Sequence, residues 1–220
     1  MKQLLLFARK LTAAFSFSKR KLSTPLPIEN YFHNGKPIVI PGTTALCNSF
    51  YVVLFDEKMC AAILSAAITH QHKDPVGRTD DFRHDPRLKR SPTLNDYEGS
   101  GYDRGHLTAA ADATTEEEMH DTFLLSNMTP QSSELNRGAW KELEAYVRDL
   151  DTTFALTGAC YEDVPKTIGK NKIPVPAWYW KVAFLTDGTI EAFIADNVDT
   201  AEVHDISIED LEKKIGFKLI

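Results

Sequence analysis

Four consecutive residues, Asp103-Arg104-Gly105-His106, place a carboxylate, a guanidinium, a flexible backbone point and an imidazole side by side. Histidine is the side chain whose unperturbed pKa lies near neutrality, which suits a general base. Arginine offers a planar fork of donors that fits phosphate oxygens. Gly105 gives the backbone freedom to bend from strand to loop, so that both neighbours can be presented to one pocket. Taken alone, the tetrad reads better as a surface strand with a solvated ion pair and an incidental histidine.

A second group follows in SNMTPQSSELNRGAWKELEAYVR, residues 126–148. The pattern predicts a helix from Ser132 or Ser133 to about Leu150. Asn136, Trp140, Glu144 and Arg148 then recur every fourth residue; at about 100° per residue each step drifts only about 40°, so neighbours share a face. Ala139, Leu143, Tyr146, Val147 and Leu150 form an apolar stripe that would seat the helix on a sheet. Asn136, Glu144 and Arg148 would therefore line the edge of a seated helix, where a cleft can form.

The elements needed to hold these groups are mostly strands. Tyr51 to Phe55, 153–161, 179–185 and 190–196 read as strands, whereas 59–69 (MCAAILSAAIT) fits a helix or a strand. Residues 70–101 are broken by prolines and glycines and read as loop, with Arg78 and Arg83 among acidic neighbours. Residues 116–123 predict a short helix and Phe123 to Met128 a short strand. The chain closes on a capped helix, with Ser207 as N-cap, Asp210 three residues on and Gly216 at its C-terminus. The expected fold is α+β: a single domain over residues 31–220, with a mainly antiparallel central sheet flanked by helices.

Composition narrows the classes. The 220 residues are 43% hydrophobic and 25% charged, which excludes collagen-like, wholly disordered and disulfide-stapled chains. No apolar run approaches the roughly 20 residues that cross a bilayer, so no membrane span is expected. Cys47, Cys60 and Cys160 are an odd number without a CxxC pair, arguing against a structural zinc or an obligatory disulfide. Net charge is −6, but residues 1–28 hold six basic side chains and no acidic one, leaving −12 for the rest. A chain with that balance can handle a polyanion only through a local basic cleft. The basic segment 1–30 fits a mitochondrial presequence, with Leu4, Phe7, Leu11 and Phe15 as its apolar stripe, or a basic tail on a secreted or cytoplasmic protein.

Several weaker signals have plain explanations. His70 and His72 have metal-ligand spacing but no partner nearby in sequence. Glu116 to Glu118 suit a helix N-terminus. Trp178, Tyr179 and Trp180 could stack bases, yet their alternation favours a sheet interior.

The DRGH tetrad followed by an LxNMxPQxxxLNxxxWxxLE block resembles the DNA/RNA non-specific endonucleases, which include mitochondrial and secreted bacterial nucleases with the ββα-metal (His-Me finger) motif. Residues 156–182 and 207–217 add to the resemblance, which spans roughly residues 48–220. It implies His106 as general base and Asn136 as direct ligand to one Mg²⁺, with Mn²⁺ a possible substitute. Glu144 would orient a water on that ion, Arg104 and Arg148 would neutralise the phosphate, Asn127 would orient a catalytic group and Asp103 would support the loop. DNA and RNA would be the substrates, the products would carry 5′-phosphates, and a homodimer is common in such proteins, with MCAAILSAAIT available to form it. The sequence departs from the family at Ala109, where proline is usual. It departs again near Asp80 and Asp81, flanked by Arg78 and Arg83, either of which could contact substrate. Two other readings compete: a nucleic-acid-binding relative without activity, and a metal-free hydrolase using Ser126, Ser132 or Ser133 with His106.

Overall fold

The computed structural model describes residues 25–69 and 76–220; the N-terminal presequence reading and the His70/His72 pair lie outside them. Eleven strands form in chain order: β1 (Thr44–Cys47), β2 (Tyr51–Asp56), β3 (Ala61–Ile68), β4 (Asp103–His106), β5 (Met128–Gln131), β6 (Thr152–Cys160), β7 (Thr167–Ile168), β8 (Ile173–Pro174), β9 (Trp178–Leu185), β10 (Ile190–Asp196) and β11 (His204–Asp205). Five helices accompany them: α1 (Leu94–Tyr97), α2 (Glu116–Thr122), α3 (Ser133–Arg137), α4 (Ala139–Asp149) and α5 (Ile208–Ile215). Seven strands make one sheet in the order β1-β2-β3-β6-β9-β10-β11, with every neighbouring pair antiparallel. This is the expected α+β architecture.

The sheet is covered on both faces, because alternate residues of each strand feed different cores. Tyr51, Val53, Phe55, Tyr179 and Ala183 face a core completed by Leu107, Phe123, Met128, Leu135, Trp140 and Leu143. Val52, Leu54, Leu64, Trp180, Val182 and Phe184 face the opposite core, closed by Tyr31, Phe32, Leu211 and Leu219. The candidate residues thus sit on the first side, carried by a ribbon (β4–β5) and a helix pair (α3, α4). Helix α5 seals the other side, with Ser207 accepting from the Asp210 N–H and Gly216 in the left-handed conformation at φ 83°.

One open reading is settled and three sequence expectations change. The segment 59–69 is strand β3, paired with β2 on one edge and β6 on the other. As an interior strand it offers no free edge for dimerisation. Residues 123–128 are mainly a 3₁₀ turn over Leu125–Asn127, with strand β5 beginning only at Met128. The single helix expected over 132–150 is two, broken at Gly138. Tyr146, expected in the apolar stripe, is 46% exposed and donates its hydroxyl to Glu191. Trp178, Tyr179 and Trp180 lie in strand β9, with Tyr179 and Trp180 buried and Lys214 over the Trp178 ring. The three cysteines are free thiols. No helix among the described residues is long and apolar enough to cross a membrane.

Candidate active site

Strands β4 and β5 form a two-stranded ribbon in which Asp103 faces Gln131, Arg104 faces Pro130, Gly105 faces Thr129 and His106 faces Met128. Gly105 is needed here for space and not for a bend. A Cβ on it would lie 2.2 Å from Gln131 Oε1 and 2.6 Å from Gln131 Cβ. The turn after His106 is fastened by Asn127, which is fully buried. Its Oδ1 accepts from the Thr108 N–H at 3.0 Å, and its Nδ2 donates to the carbonyls of Thr108 and Thr122 at 2.9 and 3.0 Å. Asn127 therefore ties the His106 strand to the end of α2 and acts on the site through the backbone.

His106 lies against two phenyl rings. Its ring centroid is 5.9 Å from Phe82 and 5.2 Å from Phe123, and the two phenylalanines meet edge to face at 4.8 Å. Each ring carries a guanidinium: Arg104 stands 4.3 Å over Phe82 and Arg78 stands 4.9 Å over Phe123. Burial, followed by Arg78 and Arg104, drives the His106 pKa down to about 3. The imidazole is consequently neutral over the whole physiological range. Among the described residues its buried Nε2 has no hydrogen-bond partner, while the residue as a whole is only partly buried.

The two arginines flanking the segment around Asp80 part company. Arg78 is exposed, over Phe123, with its Nε donating to Asp80 at 2.7 Å. Arg83 is consumed internally: Nη1 donates to the His120 carbonyl at 2.6 Å, Nη2 meets His120 Nδ1 at 2.6 Å, and Asp81 and Asp121 lie at 3.4 and 3.9 Å. It fastens the 76–85 segment to α2.

At the start of the ribbon, Asp103 gathers α3. Its carboxylate accepts from Asn136 Nδ2 at 3.0 Å, from Ser133 Oγ at 3.0 Å, and from both Nε and Nη2 of Arg137 at 2.8 and 2.7 Å. With Nδ2 committed to Asp103, the Asn136 amide presents Oδ1 as its free acceptor. Glu144 follows one helix later, its carboxyl pushed up to about 7 by burial, with Lys181 as the leading opposing influence. Arg148 is half-exposed and pairs with Asp112 at 2.9 Å.

Asp103, Arg104, His106 and Arg78 thus converge around the ribbon, with Asn136 joined to it through Asp103. Glu144 and Arg148 follow on α4. Phe82, Phe123, Arg137 and Lys181 escaped the sequence reading, because nothing about an isolated phenylalanine or lysine marks what it packs against. The acidic run at 116–118 sits at the N-terminus of α2, capped by Thr115. The serines proposed for a metal-free hydrolase are occupied. Ser126 donates to Asp85 at 2.7 Å, Ser132 caps α3 and donates to Asp199 at 2.5 Å, and Ser133 serves Asp103.

The oxygen donors on this edge suit a hard, well-hydrated cation. Among the described residues no three His, Cys, Asp or Glu side chains converge to hold a metal. A neutral amide oxygen and a nearby carboxylate instead match Mg²⁺ or Mn²⁺, which keep much of their water and take few protein ligands.

A partly buried neutral imidazole between two arginines, on a two-stranded ribbon packed against a helix pair, is an arrangement suited to attack on a phosphodiester. The model of the DNA/RNA non-specific endonuclease family matches residues 34–219, and the chain belongs to that family. It is 33% identical over 211 residues to mitochondrial endonuclease G of Homo sapiens, covering 82% of this chain and 71% of that protein. It is 32% identical over 163 residues to a nuclease of Serratia marcescens, covering 64% of this chain and 61% of that one. The fold is similar to a crystal structure of an EndoG/EndoGI complex, with TM-score 0.73 and 28% identity over 86% of this chain and 88% of the other.

Proposed function

We propose that this nuclease is a divalent-cation-dependent endonuclease that hydrolyses phosphodiester bonds in DNA and RNA alike and leaves 5′-phosphate ends. The observation that carries the reading is the partly exposed imidazole of His106, kept neutral between Arg104 and Arg78. His106 takes a proton from the attacking water as the new P–O bond forms. The P–O3′ bond then breaks, the phosphate stays on the 5′-oxygen of the downstream fragment, and the departing 3′-oxygen takes a proton from solvent. Arg104 and Arg78 neutralise the charge that builds on the non-bridging oxygens, and Arg148 adds to it from its place beside Asp112. Asn136 would hold the cation through Oδ1, with Glu144 setting the hydration around it. When bound, Mg²⁺ or Mn²⁺ supplies Lewis-acid stabilisation of the phosphate and the departing oxygen.

Tolerance for both sugars follows from the nucleophile. A water activated by His106 needs no 2′-hydroxyl, and groups that grip phosphates carry no base information. Digestion of supercoiled plasmid and of RNA, with Mg²⁺ and with EDTA, beside His106→Ala, tests the reading. Metal-dependent cleavage of both substrates that disappears in the variant is expected. Binding without cleavage would instead mark a nucleic-acid-binding relative, and cleavage retained by His106→Ala would remove the base.

A further inference from the structure

Lys181 is the one lysine in the central sheet that is almost wholly buried, at 3% exposure. It lies on β9 opposite Thr157 of β6, and its Nζ donates to Thr157 Oγ1 at 2.6 Å. The same ammonium stands 5.9 Å from the ring of Trp140 on α4. Glu144 is one helical turn beyond Trp140, so the ammonium lies beneath the helix that carries the candidate carboxylate. Lys181 and Glu144 form no direct ion pair; the coupling runs through space from a buried ammonium to a partly buried carboxyl. A buried ammonium with one hydroxyl partner does little for stability, since apolar residues of similar volume commonly serve as well or better. Its presence calls for a different account.

We propose that Lys181 is a positioning residue of this site, the internal countercharge that keeps the Glu144 carboxylate ionised beside the catalytic ribbon. The charges around Glu144 are few and can be named. Lys181 comes from the sheet, Arg148 from α4 itself, Arg78 from the segment before the ribbon, and Asp112 from the 3₁₀ turn Ala110–Asp112. Asp112 opposes ionisation and is already neutralised by Arg148. Arg78 is exposed to solvent and paired with Asp80, so its field is screened. That leaves Lys181 as the leading favourable charge on Glu144, and Glu144 as the leading favourable charge on Lys181. The pair is reciprocal, as a coupling must be.

The inference leans on the proposed function for its kinetic readout alone, and a carboxyl titration tests it without turnover. In metal-free, ¹³C-glutamate-labelled protein, Lys181→Met should raise the Glu144 midpoint by about one pH unit, the resonance being assigned by its absence in Glu144→Gln. In the Mg²⁺-loaded enzyme the same variant should lose up to about fivefold in kcat at pH 7, recover most of it at pH 9, and keep KM within about twofold. Lys181→Met placed on Glu144→Gln should cost nothing further, as expected when one residue acts through the other. Should Lys181→Met fail to fold, the near-isosteric Thr157→Val removes the only hydrogen bond on Nζ and should move the titration in the same direction. An unshifted Glu144 titration in either folded variant overturns the proposal, as does a full additional loss in the double variant. A wild-type protein without nuclease activity but with the shifted titration would instead refute the proposed function while leaving the countercharge in place.

Discussion

The two titrating groups of the site have been pushed in opposite directions, and this decides which of them shapes the pH dependence of turnover. His106 is held near 3 by burial and by Arg78 and Arg104, so it remains a free base at any pH where the fold survives. Glu144 is held near 7, chiefly by burial. A raised carboxyl pKa means that the ionised form is lost as pH falls through neutrality. The acid limb of kcat/KM should therefore have its midpoint close to 7 and belong to Glu144. Glu144→Gln should flatten that limb and lower the rate by about 100-fold, while His106→Gln should lower it by roughly 10²–10⁴-fold, the usual worth of a general base, without moving the limb. Raising the divalent-cation concentration should shift the midpoint downward, because a nearby positive charge favours the carboxylate. A midpoint that stays put in Glu144→Gln would assign the limb to another group.

At the scale of elements, the position of Asn136 depends on the break between α3 and α4. A Cβ on Gly138 would lie 2.7 Å from the Glu134 carbonyl oxygen, a backbone atom that cannot swing aside. Gly138→Ala should cost about 1–3 kcal/mol of stability in denaturant unfolding. It should also raise the Mg²⁺ concentration needed for half-maximal activity, because α3 must shift relative to the ribbon that holds Asn136 through Asp103. The sequence foretold strands β2, β6, β9 and β10 and most of the buried face of α4, because alternation and fourfold spacing are local signals. It did not foretell this break, since a lone glycine in a helical pattern costs only about 1 kcal/mol and is often tolerated. Nor could it separate Arg78 from Arg83, because the partners that consume Arg83 come from α2, remote in sequence. It assigned Gly105 a bend, whereas the constraint comes from Gln131 across the ribbon. Ala109 shows the reverse case: its φ of −65° matches a proline ring, and its N–H makes no hydrogen bond among the described residues. Ala109→Pro should accordingly raise stability by about 0.4–1 kcal/mol, seen as a higher Tm with activity kept.

At the scale of the whole molecule, charge works against the substrate. Beyond residue 28 the chain carries −12, and nucleic acid is a dense polyanion, so long-range attraction cannot deliver it. On the proposed function, binding would come from a few guanidiniums: Arg78, Arg104 and Arg148. About three such contacts on duplex DNA release about three counterions and give a log KM against log salt slope of roughly 2.7, far below that of proteins making 6–10 contacts. Steady-state KM on a duplex between about 50 and 200 mM salt measures it. The same measurement separates the two arginines left open by the sequence. Arg78→Gln should reduce the slope by about one, as loss of a phosphate contact does. Arg83→Gln should leave the slope unchanged and instead lower the Tm, because its guanidinium is spent on His120, Asp81 and Asp121. A slope reduced by Arg83→Gln and untouched by Arg78→Gln would reverse the assignment and mean that the 76–85 segment rearranges when substrate binds.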